Sequence, residues 1–225
     1  MEAINPSYYP ATRAVSVVAS CINSKIGGPY RLYQQERATS ASKEVIPGVG
    51  NKYHLSFLVK DYLNESPQQP EMECNATVTY HADKKTPPDV TYTLKPEPQN
   101  CTASKDQEFY QRMLKAKQPL EEEDIPDTFG NVAPDMEPVW HLGVAATSFV
   151  KWKYSTEETL FSMTVIQSVK QLMREDKLEL HYHMLIHDMV SEEMIPWLIE
   201  MTWSPSEGVK IKNEKRLPKK YEETN

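Results

Sequence analysis

What most narrows the folds open to this chain is that its sequence states one pattern twice. Between Pro10 and Gly27, the residues Ala14, Val17, Val18, Cys21 and Ile22 recur at i, i+3, i+4, i+7 and i+8, the single apolar stripe of a helix. Pro10 sits in the first turn, where a missing N–H costs nothing, and Gly27-Gly28-Pro29 stops the helix. Strand-like runs follow: Tyr30 to Tyr33 and on into a polar stretch, Tyr53 to Val59, then 71–81 and 89–95. Ile46-Pro47-Gly48-Val49-Gly50 and Lys84-Lys85-Thr86-Pro87-Pro88 turn the chain between them. About 125–128 residues later the order returns. Residues 137–153 carry Val139, Leu142, Ala146, Phe149 and Val150 as a helical stripe, and strands are expected at Thr159–Met173, Leu178–Met189, Met194–Trp203 and Val209–Asn213. A repeat this long is a duplicated domain and not a solenoid.

The expectation is therefore an α+β protein with two tandem units, each a helix packed on one face of a curved four-stranded antiparallel sheet. Pro196 takes a donor out of its strand, which predicts an edge position or a bulge there. A short helix over Asp106–Lys117, capped by Ser104 or Asp106, joins the halves, and the acidic run Glu121–Asp124 reads as a solvated linker. The boundaries expected are an N-terminal subdomain at 1–98, a helical connecting segment at 99–120, a C-terminal subdomain at 121–218 and a flexible tail at 219–225. Trp140, Trp152, Trp197 and Trp203 lie in the second half and are expected in its core.

Composition excludes several function classes. The net charge is −7, so no basic stripe is available to displace counterions from phosphates, and nucleic acid is not an expected partner. No apolar run reaches the roughly 18 residues of a membrane span. The N-terminus Met-Glu-Ala-Ile-Asn-Pro has no basic and apolar leader pattern, so the expected location is cytoplasmic; separately, the chain is expected to be a monomer. Cys21, Cys74 and Cys101 are odd in number and scattered, unlike a disulfide framework or a Cys-x-x-Cys site. Asn64-Glu65-Ser66, Asn75-Ala76-Thr77 and Asn100-Cys101-Thr102 match the glycosylation sequon and keep open a secreted, matrix-type reading without protease inhibition.

His181, His183 and His187 fall within seven residues and raise the question of metal chemistry. In a strand they share one face with Leu185, while Leu180, Tyr182, Met184 and Ile186 form an apolar face for the helix. His181 and His183 are about 7 Å apart, but His187 lies about 13 Å beyond, too far for one shell of roughly 2 Å bonds. Two imidazoles and Glu179 do not make the three ligands and water of catalytic zinc. There is also no His-Glu-x-x-His, P-loop, Gly-x-Ser-x-Gly or Gly-x-Gly-x-x-Gly pattern. The chain is expected to be neither an enzyme nor a cofactor or metal carrier. His54 and His141 read as single packed histidines.

Several irregular stretches, spread in order along the chain, resemble the latexin family of tissue carboxypeptidase inhibitors. They are Lys52-Tyr53-His54-Leu55, Phe109-Tyr110-Gln111-Arg112, Ile125-Pro126-Asp127 with Phe129-Gly130-Asn131-Val132, Ile195-Pro196-Trp197 and Arg216-Leu217-Pro218-Lys219. The resemblance implies two cystatin-like subdomains, inhibition of zinc metallocarboxypeptidases of the A/B type as partners, and no chemistry of the chain's own. It does not imply cysteine protease inhibition: cystatins use a Gln-Val-Val-Ala-Gly type hairpin, and neither Ile46–Gly50 nor Arg174–Lys177 matches it. The hairpin implied at the enzyme's funnel is Met189–Met194, with His187, Asp188, Ser191, Glu192, Glu193 and Met194 as contact residues. Related inhibitors carry glutamine where Glu192 stands, so an acid here bears on strength and selectivity. The expected mechanism is steric occlusion, because an internal hairpin offers no free terminal carboxylate to a carboxypeptidase.

Overall fold

The computed structural model describes residues 1–64, 71–174 and 176–218, with Arg37 described by its backbone alone. The tail expected at 219–225 and most of the Asn64-Glu65-Ser66 sequon lie outside the described residues. The duplication is plain in the element order. The first unit has β1 (Glu2–Ile4), α1 (Tyr9–Ile26), β2 (Tyr33–Ile46), β3 (Gly50–Asp61), β4 (Met72–His81) and β5 (Asp89–Lys95). A connecting helix α2 (Ala103–Leu114) leads to β6 (Glu121–Ile125), α3 (Glu137–Lys153), β7 (Phe161–Leu172), β8 (Leu178–Asp188), β9 (Glu193–Ser204) and β10 (Gly208–Arg216). The strands form two antiparallel sheets, ordered β1-β2-β3-β4-β5 and β10-β9-β8-β7-β6. Four strands follow each helix as expected, and each sheet gains a short fifth strand that precedes its helix.

Each helix buries the stripe read from its sequence. Ala14, Val17, Val18, Cys21 and Ile22 are sealed against β2–β5 with Tyr53, Phe57, Val59 and Val78. Val139, Leu142, Ala146 and Val150 lie on Ile166, Tyr182, Met184 and Ile199. Gly143 lets α3 come close to its sheet, since a Cβ there would stand 3.0 Å from Ile166 Cδ1 and 3.2 Å from Met184 Cε. The first long strand of each sheet bends around its helix through two register shifts, between Gln35 and Ser40 in β2 and between Met163 and Ser168 in β7. The two helices also pack on each other, so the sheets lie outside and the helices between them.

A second-half loop clasps the first half. The Glu157 carboxylate accepts hydrogen bonds from Lys43 Nζ at 3.1 Å, Asn51 Nδ2 at 2.6 Å and Tyr53 Oη at 2.5 Å, and its backbone carbonyl accepts one from Arg13 at 2.8 Å. Burial pushes the Glu157 carboxyl up, but its three donors outweigh that and hold it below its ordinary value. His141 Nδ1 lies 2.7 Å from the Pro29 carbonyl, and Trp152 Nε1 donates to the Pro88 carbonyl at 3.2 Å.

Several sequence expectations are corrected. Glu121–Asp124 is not a linker but the edge strand β6, its side chains exposed while its backbone pairs with β7. Tyr30–Leu32 precede the strand, which begins at Tyr33. Helix α2 starts at Ala103 after Thr102, and Asp106 is buried, accepting from Thr102 Oγ1 at 2.9 Å. Phe149 is only half-buried and stacks edge-on against Trp152. Trp152 itself packs on the core of the first half, while Trp197 and Trp203 are buried in the second. Pro196 occupies an inner strand, and the β8–β9 register runs through it without a bulge. The physical reason is local: the Pro196 carbonyl accepts from Leu217 N at 2.8 Å, just past the end of β10. The missing N–H points to the same side, where the neighbouring strand has run out.

Candidate functional site

Strands β8 and β9 pair from Leu178–Trp203 to Asp188–Glu193 and leave four residues, Met189 to Glu192, as the tip of a hairpin. The tip is held from beneath. Asp188 is buried, 6% exposed, and its Oδ1 accepts from Leu160 N at 3.0 Å and Val190 N at 3.2 Å. Its Oδ2 accepts from Ser191 Oγ at 2.8 Å. Burial pushes the Asp188 carboxyl up, yet these donors prevail and hold it below the usual carboxylate value. Glu192 adopts a left-handed backbone, φ +58°, a conformation that a non-glycine residue keeps only when its surroundings impose it. His187 Nε2 lies 3.1 Å from Glu192 Oε2, and Arg216 donates to Glu193 Oε1 at 2.7 Å.

The hairpin residues thus divide by task. Asp188 is an internal anchor. His187 and Glu193 are partly exposed and tie the flanks of the tip through Glu192 and Arg216. Met189, Val190, Ser191, Glu192 and Met194 face outward, with Met189 50%, Val190 42% and Met194 39% exposed.

A second projection heads toward the same end of this sheet. β6 ends at Ile125 opposite Ile166, in the middle of β7, with its chain directed toward the end at which Phe161 pairs with Asp188. The turn after it is built on Asp127, whose Oδ1 accepts from Phe129 N at 2.9 Å and Asn131 N at 2.8 Å. Gly130 takes a left-handed φ of +84°, and Phe129 stands 87% exposed. Sequence reasoning did not single out Phe129 as a contact. The available signal was an aromatic at the crest of an Asp-x-Phe-Gly-Asn turn, where the backbone bonds leave the ring no way inward.

The histidines lie on the outer face of β8, and Leu180, Tyr182, Met184 and Ile186 are buried toward α3. Glu179 is committed to other groups. It accepts from Arg174 Nε at 2.9 Å and Lys212 Nζ at 3.1 Å, and His181 Nε2 lies 3.1 Å away. Burial opposes its charge, but the three cationic or donor neighbours win and hold it at about 2. Among the described residues no three His, Cys, Asp or Glu side chains converge as a metal would require. No helix among them is long and apolar enough to cross a membrane. Cys21 and Cys74 are buried free thiols, and burial pushes Cys74 up to about 12, which keeps it protonated and unreactive.

Comparison with known proteins extends over nearly the whole chain. The family model described as latexin matches residues 4–221. The chain belongs to the latexin family. Mouse latexin is 43% identical over 218 residues, covering 96% of this chain and 97% of its own length. Human latexin is 41% identical over 221 residues, covering 97% and 98%. Chicken ovocalyxin-32 is more distant, 28% identical, with 94% of this chain aligned to 76% of its length. Among solved structures, mouse fetuin-B aligns to 98% of this chain and 71% of its own with a TM-score of 0.33 and 10% identity, a slight likeness.

Proposed function

We propose that this chain inhibits zinc metallocarboxypeptidases of the A/B type by seating the Met189–Met194 hairpin in the enzyme's funnel, and that it performs no bond-breaking itself. The observation that carries the reading is the tip held by Asp188. A plug has to be stiff before it binds, since ordering a loose loop on binding would consume affinity. Here one buried carboxylate gathers donors from Val190 and Ser191 in the turn and from Leu160 in a different loop, and Met189, Val190 and Met194 are left to make apolar contact. An internal tip presents no terminal carboxylate in a cleavable register, so it fills the funnel without being cut.

Phe129 supplies a second contact on the rim, and its aromatic ring is of the kind that anchors interfaces. Glu192 and Glu193 offer negative charge to a site that binds carboxylates, which favours on-rate and selectivity. A tight complex of this kind buries on the order of 1,600 Å² in total. The test is titration of a panel of purified metallocarboxypeptidases, with papain as the negative comparison. Stoichiometric loss of activity in A/B-type enzymes and none in papain is expected. Full activity of every carboxypeptidase at micromolar inhibitor overturns the proposal.

A further inference from the structure

The two sheets end in four edge strands, and three of them carry features that discourage pairing with another chain. β1 has three residues. β6 has five, and its Glu121-Glu122-Glu123-Asp124 run is exposed along the edge. β10 carries Lys210, Lys212, Lys215 and Arg216 and a register shift between Ile211 and Asn213. Shortness, like charge and bulges all keep an edge from accepting a partner strand. β5 differs. It is the seven-residue run Asp89-Val90-Thr91-Tyr92-Thr93-Leu94-Lys95, charged only at its ends and paired in unbroken register with β4 from Thr79–Asp89 to Glu73–Lys95. Among the described residues no strand pairs with its outer side.

The chemistry of β5 is also symmetric about Tyr92. Thr91 mirrors Thr93, Val90 mirrors Leu94, and Asp89 mirrors Lys95 with opposite charge. We infer that β5 is the contact surface of a symmetric homodimer, in which two first sheets join edge to edge, antiparallel, about a two-fold axis through Tyr92. Such an axis, perpendicular to the sheet, keeps each face on its own side, and the same patch serves both copies. Val90 then lies opposite the partner's Leu94 on the helix-covered face, extending the core that already includes Leu94, with Val90 and Tyr92 packed against it. Thr91 lies opposite the partner's Thr93 on the outer face, where Thr77 already bonds Thr91 within one copy at 2.8 Å. Asp89 meets the partner's Lys95 at both ends of the ladder, and cross-strand pairs of opposite charge favour this register over slipped ones.

Two local features suit this arrangement. Asp89 is held by His81 Nε2 at 3.0 Å yet keeps 73% of its side chain exposed. Beside the edge lies an open groove of about 580 Å³ lined by Ile26, Arg31, Tyr33, Tyr92, Leu94 and Pro98, among others, space for the partner's Tyr92. One seven-residue ladder falls at the small end of specific interfaces, so the dimer is a weak one that forms as concentration rises.

Sedimentation of the intact protein from about 1 to 500 µM tests the inference, that range spanning weak association constants. The expected result is a shift in mass from 25.9 kDa toward twice that value. Lys95→Asp places like charges at both ends and is expected to weaken association at least tenfold. The double variant Asp89→Lys/Lys95→Asp restores opposite charges across the axis and should recover it. In the wild type, hydrogen exchange should slow with concentration at the β5 amides and not in β10, a readout that needs no variant to fold. A protein monomeric across the range, or a dimer indifferent to Lys95→Asp with no β5 protection, overturns the inference.

Discussion

Asp61 and Asp188 are the same device used twice with different results. Each is the last residue of the second long strand of its sheet and is paired with the first residue of the strand before it, Tyr33 or Phe161. Each is buried, 3% and 6% exposed. Each accepts from a backbone N–H just ahead of that earlier strand, Leu32 N at 3.3 Å and Leu160 N at 3.0 Å, and from one two residues on, Leu63 N at 3.2 Å and Val190 N at 3.2 Å. The difference is Ser191, whose hydroxyl and backbone N–H both add to the donors at Asp188. Ser191 Oγ closes on Asp188, and the following strand begins only five residues after the anchor, at Glu193. In the first half the next strand begins at Met72, eleven residues after Asp61. Burial dominates at Asp61 and pushes its carboxyl up despite the Leu63 and Leu32 N–H groups, whereas at Asp188 the donors overcome burial and hold it down. The duplicated anchor thus carries more donors in the half that bears the proposed plug than in the other.

Removing the anchors separates the two halves most sharply. Asp188→Ala strands the part-buried N–H groups of Leu160 and Val190 and the Ser191 hydroxyl, at a cost of up to about 1–3 kcal/mol each, and loosens the tip. A lower melting temperature is expected, together with a loss of carboxypeptidase inhibition of roughly 100-fold, the size of effect seen when a binding anchor is removed. Asp61→Ala carries a similar stability cost but should leave inhibition within about threefold, because it supports nothing at the proposed interface. Inhibition that falls equally in both variants would show that global loosening and not the tip is at work.

A smaller effect is expected of Ser191→Ala, which removes one charge-assisted hydrogen bond worth about 1.5–3 kcal/mol at most. Asp188 then keeps the two kinds of N–H donor that Asp61 has and also the Ser191 N–H, which has no counterpart at Asp61, so its carboxyl should rise part of the way toward the behaviour of Asp61. Carbon-detected NMR titration of the carboxyls would measure this directly, and an unmoved Asp188 midpoint would break the comparison.

The pH dependence comes from the two directions of shift. Asp188 is lowered in the folded chain, so its contribution to stability is full above the unfolded value near 3.9 and is lost as pH falls through the folded one. Asp61 is raised, so its ionised form costs stability at neutral pH, and that cost is relieved as pH falls through its folded value. Acidification toward about pH 4 should therefore protonate Asp61 first and leave the hairpin anchored. Hydrogen exchange at Val190 and Leu63 across that range reads both events, and loss of Val190 protection before Asp61 titrates would contradict the assignment.

The architecture was legible because each helix carries its stripe in full: Ala14 to Ile22 and Val139 to Val150 need no tertiary information to be read. The short strands were not. β1 is only Glu2-Ala3-Ile4, and β6 is four acids before Ile125, residues that disfavour strands unless a neighbour supplies the pairing. Pro196 misled for a related reason, since the strand that would have needed its N–H stops one residue short. At the candidate site the exposed tip was recognisable, and the anchor was not. An aspartate at a strand end reads as an ordinary turn residue, and only the fold brings Leu160, from a different loop, onto its carboxylate. Trp152 likewise lies in a second-half helix by sequence but serves the first-half core, because α1 and α3 pack together.

The claim on which the account rests is that a rigid internal hairpin blocks a carboxypeptidase. The most direct measurement is inhibition of a purified A-type metallocarboxypeptidase by the wild type and by a variant with Ser191–Met194 replaced by Gly-Ser repeats, its fold checked by circular dichroism. Tight inhibition by the wild type and at least a tenfold loss in the variant are expected, in keeping with a few residues carrying most of the binding energy. Equal inhibition by the two proteins would contradict it.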